Sequence, residues 1–145
     1  MISLALLQPA VVLIGWTLVM LGWMLATRLP AMRRAGIRMG SLVGSRAADA
    51  DRSLPAEAQW KAHNYNHLLE QPVLFYALCS ILTLAGRASP AAIALAWAYV
   101  ALRVAHSLVQ ATSNRVKPRF ILFAVSSGCL VLLTLVAGLA VIRAG

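Results

Sequence analysis

Along most of this chain polar residues are scarce, and where they occur they cluster between long apolar runs or at their ends. The runs cover about residues 4–27, 71–86, 90–102 and 120–142. With their flanks, each reaches the roughly 20 residues that a helix needs to cross the hydrocarbon of a bilayer. None shows the alternation of a lipid-facing barrel strand. The pattern predicts an all-α polytopic membrane four-helix bundle, one domain spanning residues 1–145, with helices over about 4–28, 55–86, 90–112 and 118–143. Local signals set these limits. Ser53 is a candidate cap before Pro55, with Glu57 in the first turn. Ser89 and Pro90 open the third helix, and Pro118 suits the first position of the fourth. The turn at Arg87-Ala88-Ser89-Pro90 is too short to reach another domain, so the second and third helices form an antiparallel pair.

Two polar stripes interrupt the apolar pattern. In the stretch WKAHNYNHLLEQPVLFY, residues 60–76, His63, Asn66, His67 and Glu70 recur at i, i+3, i+4 and i+7, which places them on one helical face. Pro72 follows, removing a backbone donor and crowding the carbonyl of Leu68, so a kink is expected beside Glu70. The third helix carries Arg103, His106 and Gln110 at i, i+3 and i+7, with Ser107 beside them. Arg103 lies roughly 20 Å along a helix begun at Pro90, deep enough that an unpaired guanidinium would cost at least about 2.5 kcal/mol. Glu70, at matched depth on the antiparallel neighbour, is its expected partner. Such a pair serves equally to bind a ligand or to fix helix register. Arg119, just after Pro118, is expected in the first turn of the fourth helix, where its charge adds to the positive end of the dipole and favours an anion or a thiolate.

Composition agrees with the pattern: 61% of residues are hydrophobic and the mean hydropathy is +0.78, beyond what a soluble domain needs. The net charge of +9 would suit nucleic acid, but its placement argues against that partner. Arg28, Arg33, Arg34, Arg38, Arg46, Arg52 and Lys61 lie in or beside the first connection and Arg115, Lys117 and Arg119 in the third. The second connection has Arg87 and the tail Arg143. By the positive-inside rule the first and third connections are cytosolic and both termini outside. The first run lacks a basic residue before it and has its positive charge after it, so it reads as a retained helix rather than a secretory signal. Within it, Gly15 and Gly22 form a small-residue stripe suited to helix packing. Gly36, Gly40 and Gly44, among arginines, read as a surface loop from which Arg38 can reach an anionic ligand. Cys79 and Cys129 fall inside apolar runs and are assigned neither a disulfide nor a metal. His63 and His67 have no third metal ligand apart from Glu70.

Three segments, NHLLEQPVLFY at 66–76, RVAHS at 103–107 and NRVKPRF at 114–120, together resemble the MAPEG family, the membrane-associated proteins in eicosanoid and glutathione metabolism. The resemblance covers the second to fourth helices well, the first only by type, and is nearest to the bacterial branch, which implies a bacterial inner membrane. It implies a homotrimer with glutathione between neighbouring subunits near the cytosolic face, and an arginine at the start of the fourth helix, here Arg119, that stabilises the glutathione thiolate. The chain departs from the eicosanoid enzymes in three places. Asn66 and Glu70 are four apart rather than three, Gln110 replaces a glutathione-holding tyrosine, and Tyr65 stands where an arginine usually precedes the asparagine.

The expected function is a glutathione- or thiol-dependent transferase or peroxidase acting on a lipophilic electrophile from the bilayer, with Arg119 catalytic and Arg38, Asn66, Glu70, Arg103, His106 and Gln110 binding the thiol. A noncatalytic scaffold, its polar stripes kept for assembly, is the alternative. A proton-coupled transporter built on Glu70 is disfavoured, because the chain has no inverted repeat and its polar sites lie toward one side.

Overall fold

The computed structural model describes residues 3–38, 40, 42–44, 49 and 52–142. Arg46 and Arg143, two of the charges in the topology argument, lie outside the described residues, as does the expected last residue of the fourth helix. A short 3-10 turn, Leu4–Leu6, leads into α1 (Leu7–Arg34). There follow α2 (Ala56–Glu70), α3 (Pro72–Leu84), α4 (Pro90–Thr112) and α5 (Val116–Ile142). Among the described residues there are four stretches long and apolar enough to cross a membrane, and α2 with α3 makes one of them.

The helix ends follow from local chemistry. α1 runs past the expected stop at 28 and through Pro30 to Arg34, with Arg33 and Arg34 in the last turn, where cations complement the dipole. It stops at Gly36, whose φ of +70° puts it in the left-handed region. Gly36 N donates to the Arg33 carbonyl and Ile37 N to that of Met32, the paired bonds of a Schellman cap. Gly36 therefore ends a helix rather than belonging to the surface loop expected there. α3 ends the same way: Gly86 has φ +66°, Gly86 N bonds Thr83 O and Arg87 N bonds Leu82 O. α2 begins one residue later than expected and is capped by Pro55 with no side-chain bond, so Ser53 is not its cap. Ser89 caps α4, its Oγ accepting from Ala92 N at 3.2 Å, and Pro90 takes the first helical position. α5 starts at Val116, two residues before the expected Pro118. At Pro72 the helix is interrupted, and Gln71 joins α2 to α3 with helical dihedrals of −62° and −35°.

α4 packs most extensively on α5, and α1 on α2. Their shared core is Leu6, Leu13 and Met20 of the first span, Leu68, Phe75, Cys79 and Leu82 of the second, Ala92, Ala96 and Tyr99 of α4, and Leu130, Leu133 and Ala137 of α5. Phe75 stacks on Tyr99 with centroids 4.5 Å apart. The outward faces stay apolar, with Val11, Leu18, Val73, Val125 and Leu135 exposed. In a span these side chains meet lipid rather than water. A Cβ placed on Gly15 or Gly22 would meet nothing within 4 Å, so that stripe is not where the chain's own helices approach one another.

Candidate functional site

The polar stripes converge near the end of the bundle where α1 and α4 finish and α2 and α5 begin. Arg103 is fully buried there, the largest such side chain in the described structure. Its Nε donates to the Tyr99 hydroxyl at 3.1 Å, its Nη1 to His67 Nε2 at 3.1 Å, and its Nη2 to Gln71 Oε1. Its guanidinium carbon also sits 5.4 Å from the ring centroids of both Tyr99 and Phe123. Gln71 in turn donates from Nε2 to Ser127 Oγ at 2.9 Å, tying α5 to the network.

The expected ion pair between Glu70 and Arg103 does not form. His67 stands between them, its Nδ1 3.2 Å from Glu70 Oε2. A guanidinium has only donors, so Nε2 of His67 must accept, and Nδ1 carries the proton that it gives to Glu70. The helical wheel explains the substitution: Gln71 is four residues after His67 and shares its face toward α4, whereas Glu70 is rotated by about 100° from Gln71. The Glu70 side chain is accordingly 69% exposed. Asn66 is exposed as well, while Asn64 is fully buried and donates from Nδ2 to Ser107 Oγ at 2.5 Å. Sequence reasoning left out Asn64, Gln71, Tyr99 and Phe123. A signal for the first two lies in the inward face of α3, which runs through Leu82, Cys79 and Phe75. Stepped backward by three or four residues, that face leads to Gln71, Leu68 and Asn64.

Beside this network opens a cavity of about 250 Å³ lined by His67, His106, Gln110, Val116, Arg119, Phe120 and Phe123. The His106 ring lies 5.0 Å from that of His67 and 6.4 Å from that of Phe123. Gln110 is 8% exposed, and its Oε1 is buried without a hydrogen-bond partner. Arg119 is half-buried and donates from Nη1 to Asn114 Oδ1 at 2.5 Å. Asn114 itself sits in the left-handed region with φ +47°, a conformation asparagine tolerates well. Because α5 starts at Val116, Arg119 is the fourth helical residue. Its own N–H is taken up by Arg115 O at 3.3 Å, so the side chain rather than a free backbone donor faces an anion. His106, Gln110 and Arg119 thus share one cavity. Arg103 supports it from behind, Glu70 touches it only through His67, and Arg38 and Asn66 do not line it. Among the described residues no three His, Cys, Asp or Glu side chains gather to hold a metal.

The cavity offers a fixed cation, an acceptor that lacks a donor, two imidazoles and an apolar wall. Val116 and Phe120 on that wall are 71% and 66% exposed. Fold and site define a multi-pass helical membrane protein with a polar chamber near one end of its bundle. The MAPEG family model matches residues 6–139, nearly the whole chain, and the protein belongs to that family. Comparison with curated proteins and with solved structures gave no significant match.

Proposed function

We propose that the protein is a thiol-dependent transferase or peroxidase, with glutathione as its thiol, acting on lipophilic electrophiles that arrive from the bilayer. The observation that supports it most is Arg119 in the cavity wall, held by Asn114 and flanked by the exposed Phe120. A guanidinium there favours the thiolate over the thiol, and each unit by which the thiol pKa falls corresponds to about 1.4 kcal/mol. The unpartnered Gln110 Oε1 calls for an N–H donor, which the amide or ammonium groups of glutathione supply. In the transfer step the thiolate sulfur donates its electron pair to an electrophilic carbon, forming the C–S bond. The displaced pair goes to the leaving group or, in an addition, to the acceptor atom that is then protonated by water. With a peroxide the same sulfur attacks oxygen, the O–O bond breaks with its electron pair leaving on an alkoxide that water protonates, and a second thiol attacks the resulting sulfenic sulfur, releasing water and forming the disulfide.

Orientation belongs to the same proposal: the end carrying Arg28, Arg33, Arg34, Arg115, Lys117 and Arg119 faces the cytosol of a bacterial inner membrane, with both termini outside. Cysteines introduced at Ser113 and at Ser89 should then label from opposite sides of the membrane.

The test is a titration with glutathione in detergent, extended to millimolar thiol and read by thiolate absorbance and by conjugation of a lipophilic aryl halide. Arg119→Ala should remove the bound-thiolate signal and slow conjugation by about a hundredfold, the effect of deleting one preorganised charge-stabilising donor. No thiolate signal in the unmutated protein, or full activity in Arg119→Ala, would leave the scaffold reading in its place. One observation favours that second reading: Arg103 spends its donors on Tyr99, His67 and Gln71, an arrangement that ties helices together without any ligand.

A further inference from the structure

A second polar cavity, about 370 Å³, lies at the same end of the bundle between α1 and α2 and shares no lining residue with the chamber around Arg119. It is lined by Thr27, Pro30 and Arg34 along one face of α1 and by Glu57 and Lys61 one turn apart on α2, with alanines of both helices between them. Two cations and one carboxylate therefore line a small hollow, and among the described residues no ion pair joins Glu57 to Arg34 or Lys61. Lys61 is fixed by aromatic rings, its Nζ lying 5.7 Å from the Trp23 centroid and 6.0 Å from that of Trp60. Tryptophans and lysines in this arrangement mark the headgroup level of a bilayer.

The order of the charges along α2 selects the ligand. α2 enters the bundle at Ala56, so Lys61 lies roughly 6 Å deeper than Glu57. A phospholipid presents the same order: its phosphodiester anion is near the glycerol, and any headgroup amine lies two carbons further toward water. We infer that this cavity binds the headgroup of an aminophospholipid, its phosphate on Lys61 and its primary ammonium on Glu57, while Arg34, the last residue of α1, stands at the outer end. A choline headgroup has no N–H to give the carboxylate, and a glycerol headgroup has no positive charge for it. The inference concerns α1 and α2 alone and stands whether or not the Arg119 chamber binds a thiol.

The test uses the full chain in mild detergent, offered phosphatidylethanolamine, phosphatidylcholine and phosphatidylglycerol of identical acyl chains, with retained lipid counted by native mass spectrometry. The unmutated protein should retain phosphatidylethanolamine about fivefold more than the other two, the scale of one interfacial charge contact. Glu57→Gln should erase that preference without lowering phosphatidylglycerol retention. Lys61→Gln should lower retention of all three lipids, and Lys61→Arg should restore it. Equal retention of the three lipids, a preference that survives Glu57→Gln, or a Lys61→Gln variant that retains lipid as before would each overturn the assignment. Free phosphoethanolamine is the remaining arm. If it displaces the lipid at equal concentration, the occupant is a soluble phosphate ester and the membrane source is wrong; the expected result is no displacement.

Discussion

Arg103 holds its place among neutral acceptors and aromatic faces rather than against a carboxylate. A buried guanidinium needs its donors satisfied more than it needs a full counter-charge at contact distance, because an unmet donor in low dielectric keeps the whole desolvation penalty. Gln71 and Glu70 therefore have unequal weight. Gln71→Leu should destabilise the protein by about 1–3 kcal/mol, leaving Nη2 without an acceptor. Glu70→Gln, which alters a largely exposed contact with His67, should change stability by less than about 1 kcal/mol. Thermal unfolding in detergent, with a Gln71 and Arg103 double-mutant cycle, measures both; strong coupling of Arg103 to Glu70 with none to Gln71 would contradict the network. The residue scale is also where sequence reading reached its limit. That Arg103, His106, Gln110 and Arg119 belong to one region was legible from helical spacing. Whether residue 70 or 71 faces α4 was not, because one position is a 100° rotation and the proline break at Pro72 obscures the helical phase. Asn64 and Asn66 were confused for the same reason: the polar periodicity 63, 66, 67, 70 competes with the inward periodicity 64, 68, 71, 75, and only packing decides between them.

At the scale of elements the reading was surer, since a span of apolar residues in lipid has no stable form but a helix with its backbone bonds satisfied internally. Four spans followed from length and hydropathy. Their ends did not, because termini depend on single residues. Pro30 sits within α1 rather than ending it, and Gly36 and Gly86 act through positive φ, which no pattern of hydrophobicity reveals. Gly86 makes this testable. It occupies the residue after the α3 cap, where an L side chain in the left-handed region costs about 1–2 kcal/mol. A Cβ there would meet no neighbouring atom within 4 Å, so any loss comes from the backbone alone. Gly86→Ala should lower thermal stability by that amount, and Gly86→Asn by less, since asparagine tolerates the conformation. Equal stability of all three proteins would mean that the turn between α3 and α4 can relax to another form.

For the whole molecule, the open question is what closes the Arg119 chamber and covers the glycine stripe of α1. The chamber, about 250 Å³, falls below the roughly 300 Å³ at which sites for whole small ligands begin, yet it must accept a tripeptide if the proposed function holds. We propose that one subunit supplies a partial site and that a second contributes the remaining wall. The space beside Gly15 and Gly22, where an added Cβ meets nothing, is where another helix can approach closely, as small residues permit in membranes. The family resemblance implies a homotrimer, and native mass measurement in mild detergent should show one. Gly15→Leu with Gly22→Leu, at two exposed positions where an added Cβ meets no atom, should shift the population toward monomer while leaving helix content unchanged. Loss of thiol binding in that variant, with Arg119 intact, would show that the site is shared between subunits. Thiol binding retained by a monomer would instead place the whole site within one chain, and the volume argument for assembly would fail.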